Sequence, residues 1–135
     1  MRDEGRGAAP ACETMTLRVL NTTRGTALAE RCGEARSFLA RGRGLMGRPG
    51  LAPGEGLLID PCSSVHSFFM RFPIDVVFAD KANRVVGLTE AMPPNRPFAG
   101  AWGARYVVEL PAGTIAATGT QVGDTLAIER APTEG

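Results

Sequence analysis

Apolar and polar residues alternate along most of this chain in short runs, and glycine and proline cut the runs apart. Alternation over four to eight residues is the pattern of a half-buried strand. Thr16-Leu17-Arg18-Val19-Leu20 begins one strand, and Thr26 to Arg31 returns after a turn at Asn21-Thr22-Thr23-Arg24-Gly25. Gly56 to Asp60 reads as a short buried strand, and Val65 to Arg71 as another beyond the Pro61-Cys62 break. Ile74 to Ala79 and Arg84 to Glu90 are expected to pair as a hairpin around Asp80-Lys81-Ala82-Asn83. Tyr106 to Leu110 is a further strand, and Gly123-Asp124 turns the chain into the last, Thr125 to Glu129.

Helical spacing is rarer. Ala35, Phe38 and Leu39 suit one face of a short amphipathic helix from Glu34 to about Arg43, ended by Gly42 and Gly44. Ala112 to Thr118 is expected to make one or two helical turns closed by Gly119. Pro49 to Gly56 is a loop, and so is Met92 to Gly103, where Pro93, Pro94 and Pro97 cannot donate to a ladder. The length of that second loop and its apolar Phe98 and Trp102 suggest that it packs over something, with Trp102 as a loop anchor. No repeat is present, nor any strand–helix–strand alternation with crossover helices. The fold class is therefore α+β, mainly β: one compact domain with a mostly antiparallel sheet, curled or barrel-like, and one or two short helices.

The tails differ in pattern from the rest. Residues 1–14 are polar and rich in glycine and alanine, and read as a disordered extension. Met15, where strand alternation begins, is the expected functional start; residues 15–130 form the domain, and 131–135 a frayed tail. N-terminal sequencing of the native protein, finding residues 1–14 intact, would refute that start.

Within the domain, His66 to Phe78 (HSFFMRFPIDVVF) holds four of the six phenylalanines, the only histidine and a mid-strand aspartate. The phenylalanines mark the folding core. His66 and Asp75 are polar groups in an apolar setting, so each requires a partner. They would satisfy each other if the Phe72-Pro73 corner folds the second strand beside the first. Alternatively, Asp75 accepts backbone N–H groups from a neighbouring loop and has no chemical role, while His66 is a hydrogen-bonded core or rim histidine.

Composition narrows the chemistry. At 135 residues, 44% hydrophobic and 21% charged, the chain has the composition of a soluble globular domain. No apolar run approaches the roughly 20 residues that span a bilayer. Met1 to Gly7 is followed by no apolar segment of a secretory signal, so the cytoplasm is the expected compartment. Cys12, Cys32 and Cys62 are odd in number and lack CxxC spacing, which argues against a disulfide framework or a zinc ribbon. Residues 1–48 carry nine Arg against five acids, and Arg36, Arg41, Arg43 and Arg48 could form a cationic patch. With a net charge of +1 and no aromatic interleaving there, nucleic acid is not the expected partner.

Three chemical readings of the central block compete. A Cys62–His66–Asp75 nucleophilic set lacks any accompanying oxyanion-hole or nucleophile-elbow signature. A soft metal site of His66, Cys62 and Met70 has too few ligands, so neither metal nor cofactor is expected. A small polar pocket beneath the 92–103 loop, lined by His66 and Asp75 with Arg71, Arg96 or Arg105, fits the residue types best. Trp102 could serve as a stacking platform beside it.

Several segments carry a family resemblance. Arg43 to Arg48 (RGLMGR), Gly54 to Ile59 (GEGLLI), Cys62 with the His66–Phe78 block, Ala104 to Gly113 (ARYVVELPAG) and Val122-Gly123-Asp124 together resemble the domain of unknown function 192 family. The resemblance runs from about Met15 to Ile128. It implies a compact, mostly β domain found in bacteria and archaea, and maps the hallmark residues onto His66, Met70, Asp75 and Arg105. Some relatives carry secretion signals, and by its N-terminus this chain is similar to the cytosolic form. No activity comes with the resemblance. The leading expectation is a binding domain for a small anionic, sugar or peptide ligand, with a site at His66, Met70, Asp75 and Arg105. One alternative is a hydrolase or transferase using His66 and Asp75 as an acid–base pair; another is a structural domain that binds a protein partner and has no small-molecule site.

Overall fold

Strand pairing in this protein is decided by which residues must leave water, and almost every alternating run becomes a strand. The computed structural model describes residues 15–35, 50–66, 70–96 and 98–132. The strands are β1 (Met15–Asn21), β2 (Thr26–Ala35), β3 (Glu55–Ile59), β4 (Ser64–Val65), β5 (Ile74–Ala79), β6 (Val85–Met92), β7 (Ala99–Gly100), β8 (Tyr106–Pro111) and β9 (Leu126–Pro132). One helix, α1 (Thr114–Thr118), lies between β8 and β9, closed as expected by Gly119 in the left-handed conformation at φ 70°.

Seven strands form one sheet in the order β6-β5-β8-β3-β2-β1-β9. Every pairing is antiparallel except β2 with β3. The sheet curls until its two edges touch. Arg84 bridges Thr125, Val85 N–H donates to Asp124 O at 2.8 Å, and Leu126 N–H donates to Asn83 O at 2.8 Å. The expected mainly β, barrel-like architecture is therefore the one found.

Alternation along β5 divides the core. Val77 and Ala79 point into the curl with Leu17, Leu58, Val108 and Ile115. Ile74, Val76 and Phe78 point out of it, into a second cluster with Leu57, Met70, Met92 and Val107. All six β5 residues, Asp75 among them, are buried because both faces of the strand are covered.

Some expectations are corrected. Glu34 and Ala35 belong to β2, not to a helix, because β2 runs parallel to β3 as far as the Ala35–Ile59 pair; the remainder of the expected helix, with Arg36, Arg41, Arg43 and Arg48, lies outside the described residues. Of the expected strand from Val65 to Arg71, only Val65 is strand among the described residues, within β4 (Ser64–Val65), which leaves the large sheet to pair with β7; residues 67–69 lie outside the described residues. β7 itself lies inside the segment expected to be loop throughout. Prolines 93, 94 and 97 bar a ladder only at their own positions. β9 continues through Pro132 rather than fraying at Ala131.

Candidate functional site

Asp75 is fully buried and points into the curl. Its Oδ1 accepts the Ala91 N–H at 2.8 Å, and its Oδ2 accepts the N–H groups of Gly113 at 3.1 Å and Ile115 at 2.8 Å. The reason lies in the register. Ile74 pairs with Met92 and Val76 with Thr89, so Glu90 and Ala91 together oppose Asp75 in a β-bulge. Ala91 takes φ 48° there and aims its N–H at the carboxylate. On the other side, the first N–H groups of α1 have no partner within the helix, and Asp75 supplies one. The carboxylate thus joins bulge to helix.

His66 does not meet it. β4 pairs with β7 and not with β5, so the Phe72-Pro73 corner does not lay one strand against the other. Cys62, Val65 and Met70 pack into the cluster outside the curl, on the opposite face of β5 from the Asp75 carboxylate. Met70 is buried in that cluster while His66 is exposed. The sheet separates His66 from Asp75, and an acid–base pair of the two is not formed.

His66 instead belongs to a small ribbon. Ser64 opposes Gly100 and Val65 opposes Ala99, so the next opposed positions are His66 and Phe98, both exposed. Val65, Ala99 and Ala101 face inward against the outer cluster. Ala101 sits directly on β6, where a Cβ at Gly87 would lie 2.5 Å from its own; glycine is what lets the ribbon approach. Phe98, Gly100 and Trp102 consequently face outward, with Phe98 67% and Trp102 99% exposed. A Cβ at Gly100 would lie 2.8 Å from Phe98 Cζ, so the ring leans over the glycine. The loop does pack over the outer cluster, but through Ala99 and Ala101; the expectation that Trp102 anchors it is overturned, since Trp102 and Phe98 are exposed.

Arg105 closes the base of the ribbon. Its carbonyl accepts the Cys62 N–H at 2.8 Å, and its Nε donates to Asp60 Oδ1 at 3.0 Å. The Cys62 thiol donates to Ser64 O at 3.0 Å. Arg71 and Arg96 are exposed in the segments flanking the ribbon. Cys62, His66 and Asp75 do not assemble into a nucleophilic set, since Asp75 is committed elsewhere. Among the described residues, no group of three His, Cys, Asp or Glu side chains is placed to hold a metal ion.

Sequence reasoning missed a second polar cluster. Asn21, Thr120 and Asp124 are buried together where the curl closes. Asn21 Nδ2 donates to Thr120 Oγ1 at 3.2 Å and Asp124 Oδ2 at 2.9 Å, and Arg24 donates to both Asp124 oxygens at 3.0 and 3.1 Å. The hydrogen bond from Arg24, helped by that from Asn21, lowers the Asp124 carboxyl to about pKa 2. The Asn21–Gly25 and Gly123-Asp124 turn signals were the only hint, and they mark turns rather than their pairing. Burial pushes the Cys32 thiol up to about 12. An open groove of about 380 Å³ lies between β2 and α1, lined by residues such as Leu28, Pro53, Pro111, Thr114 and Ala117; His66, Met70, Asp75 and Arg105 are not among its lining.

The comparisons with known proteins agree on the fold. The family model DUF192, "Uncharacterized ACR", matches residues 19–128. A UPF0127 protein of Thermococcus sibiricus is 35% identical over 115 residues, covering 80% of this chain and 72% of its own length. A UPF0127 protein of Pyrococcus furiosus is 36% identical over 119 residues, covering 80% and 95%. Among solved structures, a protein of unknown function from Novosphingobium aromaticivorans superposes with a TM-score of 0.74 at 23% identity, over 94% of this chain and 98% of its own. One from Sinorhizobium meliloti does so at 0.77 and 23% identity, over 89% and 97%. At that identity the likeness speaks for the fold alone.

Proposed function

We propose that this chain, which belongs to the DUF192 family, is a binding domain whose site is the outer face of the β4–β7 ribbon. The supporting observation is Trp102. The only tryptophan of the protein stands 99% exposed on a ribbon tied down by Ala99, Ala101 and Gly87. Large exposed aromatic surface does nothing for the fold of an isolated domain and marks interaction sites. Tryptophan, with phenylalanine and arginine nearby, is also what dominates the energetics of such sites.

This reading keeps His66 and Arg105 at the site and moves Asp75 and Met70 out of it, as supports of the scaffold. Ligands of the anionic, sugar and peptide classes remain suited to the face, since an indole stacks on rings and the cations pair with carboxylates. Asp75 is spent on backbone N–H groups inside the curl and is not paired with His66, which supports binding over acid–base turnover by those two residues. The cytoplasm is the proposed compartment; among the described residues, no helix is long and apolar enough to cross a membrane.

Trp102 supplies its own assay. Titration with peptides, oligosaccharides and small anions should give a saturable change in its emission for one class, with a matching rise in Tm. Phe98→Ala and His66→Ala should lose the ligand effect while keeping the ligand-free Tm. If no class moves the emission, or if the variants bind as well as wild type, the ribbon is not the site.

A further inference from the structure

Resting on that reading of the ribbon, we infer that the partner of its aromatic tip is the groove between β2 and α1 on a second copy of this chain. Trp102 stands in the turn beyond β7, formed with Gly103 at φ 84°, and its ring is 99% exposed. Phe98 lies over Gly100, so the ribbon offers rings there rather than a seat. The groove is the complementary surface. Ala27, Pro53, Pro111 and Ala117 line it above the buried Leu28, in a volume of about 380 Å³. The two hydroxyls in its wall are already spent: Thr114 Oγ1 donates to Pro111 O at 2.7 Å, and Thr118 Oγ1 to Thr114 O at 2.8 Å. Such a lining calls for an apolar group of ring size. A buried indole also needs an acceptor for its N–H. Glu30 borders the groove half-exposed, and its Oε1 takes one hydrogen bond from Arg18 Nε at 3.0 Å, which leaves the carboxylate lone pairs for a second donor.

Ring and groove are kept apart within one molecule. The ribbon rests on Gly87, which pairs with Phe78, itself paired with Val107 near the start of β8. The groove lies past the other end of that strand, at Pro111 to Thr114. From Val107 to Pro111 an extended chain covers about 13 Å, at roughly 3.3 Å per residue. The sheet also intervenes: Ala99 and Ala101 hold the ribbon against the outer cluster, while Leu28 of the groove belongs to the inner one. The ring of one copy therefore reaches only the groove of another. A contact of this kind joins unlike surfaces head to tail, so a pair of copies retains one free ring and one free groove. Its small area places it among weak, transient associations.

Sedimentation velocity on the full chain tests the contact. The weight-average mass of the wild type should rise with concentration, and Trp102→Ser and Ala117→Arg should each weaken association at least about thirtyfold, as loss of an anchor residue does. Both replaced residues are exposed, so the fold is kept. One variant retains the groove and the other the ring, so their equimolar mixture should form a one-to-one complex that grows no further. A mixture that stays monomeric where the wild type associates overturns the inference. Association that survives Trp102→Ser overturns it as well. Loss in Trp102→Ser but not in Ala117→Arg overturns the groove as partner while leaving the ribbon a binding site. A wild type that is monomeric up to about 1 mM overturns self-association, and ligand titration of Trp102 emission then judges the ribbon separately.

Discussion

Replacing Asp75 tests the assignment that departs furthest from a catalytic reading of the central block. Its carboxylate accepts three backbone N–H groups at 2.8, 3.1 and 2.8 Å in a fully buried position. Asp75→Ala strands all three donors. An unsatisfied buried group costs about 1–3 kcal/mol, which would sum to roughly 3–9 kcal/mol. The upper end is out of reach, because Ala91 and Gly113 are exposed residues whose N–H groups can turn to water. Ile115 is buried and cannot. The expected loss is therefore about 3–5 kcal/mol, a large fraction of the 5–15 kcal/mol typical of a domain.

Asp75→Asn is the sharper variant. Its single oxygen can face Gly113 and Ile115, but its NH₂ then faces the Ala91 N–H, donor against donor. A loss of about 2–3 kcal/mol follows from one broken bond and that conflict. Urea denaturation followed by circular dichroism measures both. A catalytic carboxylate predicts the opposite sign, since active-site groups are often held at a cost to stability. An Asp75→Asn protein as stable as wild type, or more so, would refute the structural role.

Other outcomes follow from the same packing. Phe78→Ala, at a site 1% exposed, should lose about 3–5 kcal/mol in the same denaturation assay. For Asp124, the folded carboxyl lies at about 2 against an ordinary 3.8, so its stabilisation is present above pH 3.8 and lost as pH falls through 2. The stability gap between wild type and Asp124→Asn should accordingly close across that interval in acid titrations, and a gap unchanged at its lower end would contradict the Arg24–Asp124 assignment. Gly87→Ala must push Ala101 away and should cost about 1–3 kcal/mol in thermal unfolding, with altered Trp102 emission as the ribbon lifts. Mapped thiol labelling at mild alkaline pH should modify Cys62 and spare buried Cys32 until the chain unfolds.

How much of this was legible beforehand depended on the kind of signal. The β5–β6 hairpin, β8 and α1 were readable because alternation, the Asp80–Asn83 turn and Gly119 all act locally. The ribbon was not, because two-residue strands carry no periodicity and the prolines beside β7 point the other way. Asp75 illustrates a different limit. That it needed partners followed from its apolar neighbours, and backbone N–H groups were one foreseen answer. Their source was hidden, for Ala91, Gly113 and Ile115 lie 16, 38 and 40 positions away and contribute no side chain. The family resemblance implied His66, Met70, Asp75 and Arg105 as hallmarks without dividing scaffold from surface; among these four, burial separates Met70 and Asp75 from the exposed His66 and Arg105.

The pairing of β1 with β9 has a bearing on how the molecule comes into being. β1 is made early and β9 last, yet they align residue by residue from Met15–Pro132 to Asn21–Leu126. A ribosome must therefore finish nearly the whole domain before its first strand gains its second neighbour, and so non-local a pairing favours slow folding after release. The same adjacency brings residues 15 and 132 side by side. A short peptide could join them and new ends be opened at the exposed Lys81-Ala82 turn, giving a circular permutant with the same sheet and a different order of synthesis.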